Sequence, residues 1–264
     1  MSTEKRFLVF GAHPDDTDLV FGGTALKLTA AGHNVKFVSL CNGDNGHFSM
    51  PPEALAARRY GETQASAKIS GLVEYQVLSN SDCVLQPSLE NRREVVRIIR
   101  EFKPDVVISH RLFDYHADHR ATAQLVQDAA YLVTVPLFCP EVPIPETWPV
   151  FGFSWDPFQR PLPFQADAVV VIDDVLDQKL AMLNCHSSQF YEWLPWNKGF
   201  KDFDVTKMRE DDIRQWLMEN WICRNVKQAE LFLTANEGRY AESFEMSEYG
   251  RKVTPEAFAA FFPA

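Results

Sequence analysis

The chain lacks any Cys-x-x-Cys pair, and its 5 cysteines (Cys41, Cys83, Cys139, Cys185 and Cys223) are scattered and odd in number. That argues against a disulfide framework and against a thiolate-rich zinc site, and reads as free thiols in a reducing compartment. Positive charge is scarce. The 26 Lys and Arg are outnumbered by 36 Asp and Glu, for a formal net charge of -10, and no basic run occurs. Nucleic acid is thereby disfavoured as a partner, because phosphate binding needs concentrated positive charge. No apolar run approaches the roughly 20 residues of a membrane span. The run Phe7-Leu8-Val9-Phe10, behind a polar opening, is too short for a signal-peptide core. The expectation is a cytoplasmic protein without membrane insertion. Gly-x-Gly-x-x-Gly is missing after the first strand, so dinucleotide binding lacks its fingerprint. There is no internal repeat.

What is present suits a globular domain: 264 residues, 46% hydrophobic and 23% charged. The first half alternates strand-like and helix-like segments. Strands are expected at 6–12, 34–41, 74–78 and 105–109. Helices are expected at 18–31, 52–70, 88–102 and 119–134, two of them closed by Gly32 and Gly71. Short joins between such elements predict a Rossmann-like three-layer α/β fold, a mostly parallel sheet with helices on both faces. The whole of 1–264 reads as one domain. Between about 135 and 163 the pattern breaks into a stretch dense in proline and aromatics, expected as an ordered loop without regular structure packed on the domain, either lining the pocket or serving as a structural loop or subunit contact. A strand at 168–172, a helix from 174 to about 187 and a long helix at 209–233 follow.

In parallel sheets the ligand site lies beyond the carboxyl ends of the strands. Three polar clusters fall there: His13 to Asp16, Asn42 to His47, and His110 to His119. His13 and Asp16, three apart across the stiff Pro14, can face one point. A catalytic zinc takes about three protein ligands and keeps one position open, and His119 is the natural third. Iron, cobalt or nickel would accept the same donors. Asp15 is then left free to act as general base toward metal-activated water, and His116 to stabilise the oxyanion or protonate the leaving amine, with Asp118 orienting its neighbour's ring. The parts describe metal-assisted amide hydrolysis. The bland reading of each is a turn, a helix cap or a surface histidine. His110 reads as structural, His47 as a pocket-rim residue, and His186 as either a packing residue or a support to the site.

Val9-Phe10-Gly11-Ala12-His13-Pro14-Asp15-Asp16 resembles the opening motif of the PIG-L / LmbE-like zinc de-N-acetylases. Tyr115-His116-Ala117-Asp118-His119-Arg120 resembles their His-Pro-Asp-His motif, with Ala117 in place of proline. Gly22-Gly23, Asn42-Gly43-Asp44 with Gly46, Arg59 with Glu62, His186-Ser187-Ser188-Gln189 and Tyr240-Ala241-Glu242-Ser243-Phe244 match further signatures. The resemblance implies His13, Asp16 and His119 as metal ligands, Asp15 as base, His116 as the stabilising histidine and Asp118 as its supporting carboxylate. Arg59 lies near the position of a substrate-binding arginine. It implies removal of an N-acetyl group from an amino sugar such as an N-acetylglucosamine conjugate, a small N-acylated substrate, and a homo-oligomer, trimer or hexamer. Two alternatives stand beside it: an amidase for a larger N-acyl or thiol-conjugate substrate, and a metal-binding protein without catalysis.

Overall fold

The computed structural model describes residues 4–263. Seven strands form one sheet: β1 (Arg6–Gly11), β2 (Asn34–Cys41), β3 (Glu74–Asn80), β4 (Val106–Ser109), β5 (Val150–Ser154), β6 (Ala168–Val171) and β7 (Ala241–Gly250). The order is β3-β2-β1-β4-β5-β7-β6, parallel through β5, with β7 antiparallel to both of its neighbours. The helices are α1 (Asp16–Ala30), α2 (Pro52–Ser70), α3 (Leu89–Phe102), α4 (Ala117–Leu132), α5 (Leu176–Cys185), α6 (Leu194–Asn197), α7 (Glu210–Leu217), α8 (Cys223–Phe232) and α9 (Pro255–Ala259). None among the described residues is long and apolar enough to cross a membrane.

Alternation along the strands divides the core between the two faces, because successive side chains point to opposite sides of a sheet. Leu8 and Phe10 of β1 join Val38 and Leu40 of β2 against Val95, Ile99, Leu125 and Val126 of α3 and α4. Phe7 and Val9 join Val35 and Phe37 on the other face, against Phe21, Ala25 and Leu28 of α1 and against Phe258 and Phe262. Full burial of each such side chain contributes roughly 1.5–3 kcal/mol, and both sets are nearly inaccessible. This is why Phe7 to Phe10 of β1 is a continuous apolar run and β2 is rich in Val and Phe. A third cluster, built on Leu180, Leu183, Phe190, Leu217 and Ile222, forms a helical layer outside α1 and α2.

Three expectations fail, each for a physical reason. The stretch expected to lack regular structure contains β5, an interior strand. Its prolines, Pro149 and Pro157, flank the strand and remove no donor from the ladder. β7 was not anticipated because Glu242 interrupts its apolar pattern. That carboxylate is fully buried, paired with Lys179 and bonded by Gly23 N–H (2.9 Å), Thr24 N–H (2.7 Å) and Thr24 Oγ1 (2.6 Å) of α1. Gly23 also lets Ile172, the residue after β6, approach, since a Cβ there would lie 2.7 Å from its side chain. The single helix expected at 209–233 is two, α7 and α8, joined by a π-helical turn at Met218–Ile222.

Candidate active site

The parallel strands β1, β2 and β4 end at one edge of the sheet, and all three polar clusters meet there. The loop after β1 is a tight turn in which His13 C=O accepts from Asp15 N–H (2.8 Å) and Asp16 N–H (3.2 Å). Asp16 opens α1 and folds back, its Oδ2 accepting from Ala12 N–H at 2.9 Å and His13 N–H at 2.8 Å. That oxygen is the hub of the site. It lies 3.4 Å from His13 Nδ1, 3.5 Å from His119 Nε2 and 3.3 Å from His110 Nε2. Burial would raise its pKa, but His119, His110 and His13 hold it well below the usual carboxylate range.

The outer nitrogens of two of these rings are held by carboxylates. His13 Nε2 lies 3.1 Å from Asp118 Oδ2, and His119 Nδ1 3.1 Å from Asp114 Oδ1. Burial pulls His13 down, yet its bonds to Asp118 and Asp16 carry it up to about 10. His119 is raised for the same reason, with Asp16 and Asp114 outweighing burial. Asp118 is fully buried and also accepts from Cys83 N–H (2.6 Å) and Leu85 N–H (3.2 Å). Its expected partner was His116, but it turns to His13 instead. His116 Nδ1 is 3.9 Å from that carboxylate and accepts from Asp118 N–H at 3.2 Å. The reason is helical geometry: His116 is the N-cap of α4, so it meets the backbone of Asp118, not its side chain.

Asp15, adjacent to the hub, accepts at Oδ1 from Arg59 Nη2 at 2.8 Å and lines the same cavity. Burial raises the Asp15 pKa, and Arg59 restrains the rise. Arg59 is almost fully buried, sits behind Asp15, and also lies 3.5 Å from Asp82. It enters past Gly43, where φ is +82° and a Cβ would lie 2.6 Å from Arg59 Cδ. Glu62 binds Ser187 Oγ, Ser188 N–H and Ser188 Oγ, which accounts for the pairing of Arg59-x-x-Glu62 with His186-Ser187-Ser188 as a clamp between α2 and the turn after α5. His186 is fully buried, 3.4 Å from Asp18.

Sequence reasoning placed His110 as structural. It ends β4 next to Ala12, stacks on His119 at 4.2 Å and faces the hub. Asp114 and Asp82 were also missed. The signal available for Asp114 was its place in Asp114-Tyr115-His116; for Asp82, which arrives after β3, there was none. His47 bonds Glu192 (3.0 Å) and stacks on Phe48. The site opens into a cavity of ≈ 680 Å³ whose far wall holds Trp155 and Phe158 of the aromatic stretch, with Trp193, Trp221 and Arg224.

A mostly parallel α/β sheet with a histidine–carboxylate cluster at the carboxyl ends of its strands defines the class, and the comparisons with known proteins place it. The family model described as GlcNAc-PI de-N-acetylase (PIG-L) matches residues 8–130. The diacetylchitobiose deacetylase of Thermococcus kodakarensis is 32% identical over 203 residues, 73% of each chain. Among solved structures, the N,N'-diacetylchitobiose deacetylase of Pyrococcus horikoshii superposes with a TM-score of 0.71 at 25% identity, covering 92% of this chain and 84% of that one. The 4-carboxy-2-hydroxymuconate hydratase of Pseudomonas putida shares the fold, with a TM-score of 0.71 at 20% identity over 95% of this chain and 98% of its own. The chain belongs to the PIG-L de-N-acetylase family.

Proposed function

We propose that this protein is a metal-dependent deacetylase that hydrolyses the N-acetyl group of an amino sugar such as an N-acetylglucosamine conjugate. The observation that carries the proposal is the division of the loop after β1. His13 Nδ1 and His119 Nε2 face Asp16 Oδ2 at 3.4 and 3.5 Å, while Asp15 is held apart on Arg59. Two donors bound at 2.0–2.1 Å to a tetrahedral ion lie about 3.3–3.4 Å apart. Both distances to Asp16 Oδ2 fit such an ion, and carboxylates behind both imidazoles are the usual support of metal-binding histidines. His13, Asp16 and His119 would hold it. His110 Nε2 is as near the hub, but Ala12 N–H points at its lone pair from 3.2 Å. Two nitrogens and one oxygen suit zinc, and iron, cobalt or nickel accept the same set. When bound, the ion supplies Lewis acidity, polarising the acyl carbonyl and acidifying water.

The chain's own residues divide the remaining work. Asp15, made more basic by burial, takes a proton from the attacking water and returns it to the departing nitrogen, so that amide and water become acetate and amine. His116 accepts a backbone N–H at Nδ1, which leaves Nε2 to carry the proton and to donate to the developing oxyanion. Burial and the neighbouring His13 and His119 lower its pKa, which favours this neutral donor form over a charged one. Asp118 orients His13.

Acetate release from N-acetylglucosamine conjugates, measured with and without chelator alongside metal content, tests the reading. Asp15→Asn is expected to keep its metal and lose roughly 10²–10⁴-fold in kcat, and His13→Ala to lose the metal. Full activity after chelation overturns the metal requirement, and unimpaired Asp15→Asn overturns the base. The aromatic wall also fits a larger acyl group, and a panel varying only acyl size separates that reading.

A further inference from the structure

Three arginines line the cavity, and they differ in how their charge is met. Arg59 is paired with Asp15 and Asp82. Arg111 lies 3.3 Å from Asp156 and 3.6 Å from Glu245, and donates to Leu162 C=O at 2.6 Å. Arg224 has no carboxylate within 4.0 Å among the described residues. Its one hydrogen bond runs from Nη2 to Trp155 C=O at 3.2 Å. Among the described residues its Nε is buried without a partner, and Nη1 makes no hydrogen bond. One helical turn further along α8, Lys227 also lines the cavity and forms no ion pair among the described residues. This is a local concentration of unmet positive charge in a protein of net charge -10.

A guanidinium without a carboxylate in direct contact is costly at a partly buried position, because desolvation disfavours the charge and more distant carboxylates offset that only in part. Burial lowers the Arg224 pKa, against the opposing fields of Asp16, Glu242 and Asp156. Asp16 and Arg224 line the same cavity. Trp155, 5.7 Å from the guanidinium, and Trp221 flank it with flat apolar surface. The π-helical turn at Met218–Ile222 shifts the register between α7 and α8, and such turns recur at ligand sites. A planar fork with free donors, beside aromatic walls, is suited to a carboxylate or phosphate oxygen pair and is more than a neutral hydroxyl requires.

We propose that Arg224 is a specificity residue that binds an anionic group, carboxylate or phosphate, on the non-reacting part of the substrate, with Lys227 adding positive potential at the mouth. The substrate is thus an N-acylated amino sugar that carries a negative charge. This rests on the deacetylase reading above for turnover, but the binding itself does not depend on it.

The test compares N-acetylglucosamine with N-acetylmuramic acid, its carboxylate-bearing counterpart, and with N-acetylglucosamine 6-phosphate. Calorimetric Kd and kcat/KM are measured for the wild type, Arg224→Gln and Arg224→Lys. The wild type is expected to bind at least one anionic sugar ten-fold or more tighter than the neutral one, and which of the two it prefers identifies the anion. In Arg224→Gln the anionic-to-neutral ratio falls to near one, and Arg224→Lys recovers part of it. Weaker binding of both anions than of the neutral sugar by the wild type overturns the proposal, as does a preference that survives in Arg224→Gln. If the anionic preference and its loss are seen in Kd while no sugar is deacetylated, the proposal stands and the deacetylase reading fails.

Discussion

Asp118→Asn separates two roles that adjacency in sequence confuses. The carboxylate receives three donors on two oxygens: Cys83 N–H and His13 Nε2 on Oδ2, and Leu85 N–H on Oδ1. Asparagine supplies one oxygen. If that oxygen stays with Leu85 N–H in the place of Oδ1, the amide NH₂ faces His13 Nε2 and donates to it, and Cys83 N–H loses its acceptor. The imidazole proton is then driven to Nδ1, the atom that faces Asp16. A nitrogen carrying a proton cannot ligate, so the substitution penalises the metal-binding tautomer. Outer carboxylates of this kind are worth about 10–100-fold in metal affinity, or about 1.4–2.8 kcal/mol. Any buried N–H left over costs a further 1–3 kcal/mol or so of stability. Competition against a chromogenic chelator is expected to show metal Kd raised about 10–100-fold. Ring titration by NMR in the metal-free protein should show the His13 pKa falling from about 10. If Kd is unchanged while kcat falls at saturating metal, Asp118 serves His116, as its sequence position suggests, and the argument from geometry is refuted.

Three further outcomes follow. Arg59→Gln leaves Asp15 and Asp82 buried without their cation, which should cost about 3–5 kcal/mol and lower Tm by roughly 6–20 °C. Because Arg59 restrains the Asp15 pKa, the acid limb of kcat/KM should also move to higher pH, and an unmoved limb counts against Asp15 as the base. Lys179→Met strands Glu242 and should destabilise by a similar amount in thermal melts, whereas Lys179→Met with Glu242→Leu should recover part of the loss; a double variant as unstable as the sum of the singles contradicts this account. In the metal-free protein the raised His13 pKa contributes stability that is complete below 6.5 and lost as pH rises through about 10. Zinc binding at pH 8 should therefore release about one proton from that ring, read from calorimetry in buffers of different ionisation enthalpy, and the absence of release would show that His13 Nδ1 is not the ligand.

The sequence by itself determined the layered α/β architecture and the edge at which the site forms. The apolar run Phe7 to Phe10, and the Val- and Phe-rich stretch Val35 to Leu40 broken only by Lys36 and Ser39, admit strands buried on both faces, and motifs placed just beyond them must lie at strand ends. That His13, Asp16 and His119 would meet at one edge was legible because the loop after a strand and the first turn of a helix have few local conformations. What only the tertiary structure decided are the contacts between segments distant in the chain. Asp118 meets His13 across 105 residues, Glu242 meets α1 across 218, and Arg59 reaches Asp15 across 44. No local pattern encodes such pairs, since a buried polar residue interrupts periodicity instead of extending it. For that reason β7 and its Glu242 escaped the sequence reading, as did the place of His110 at the hub. The same holds for Arg224, which has no carboxylate within 4.0 Å among the described residues.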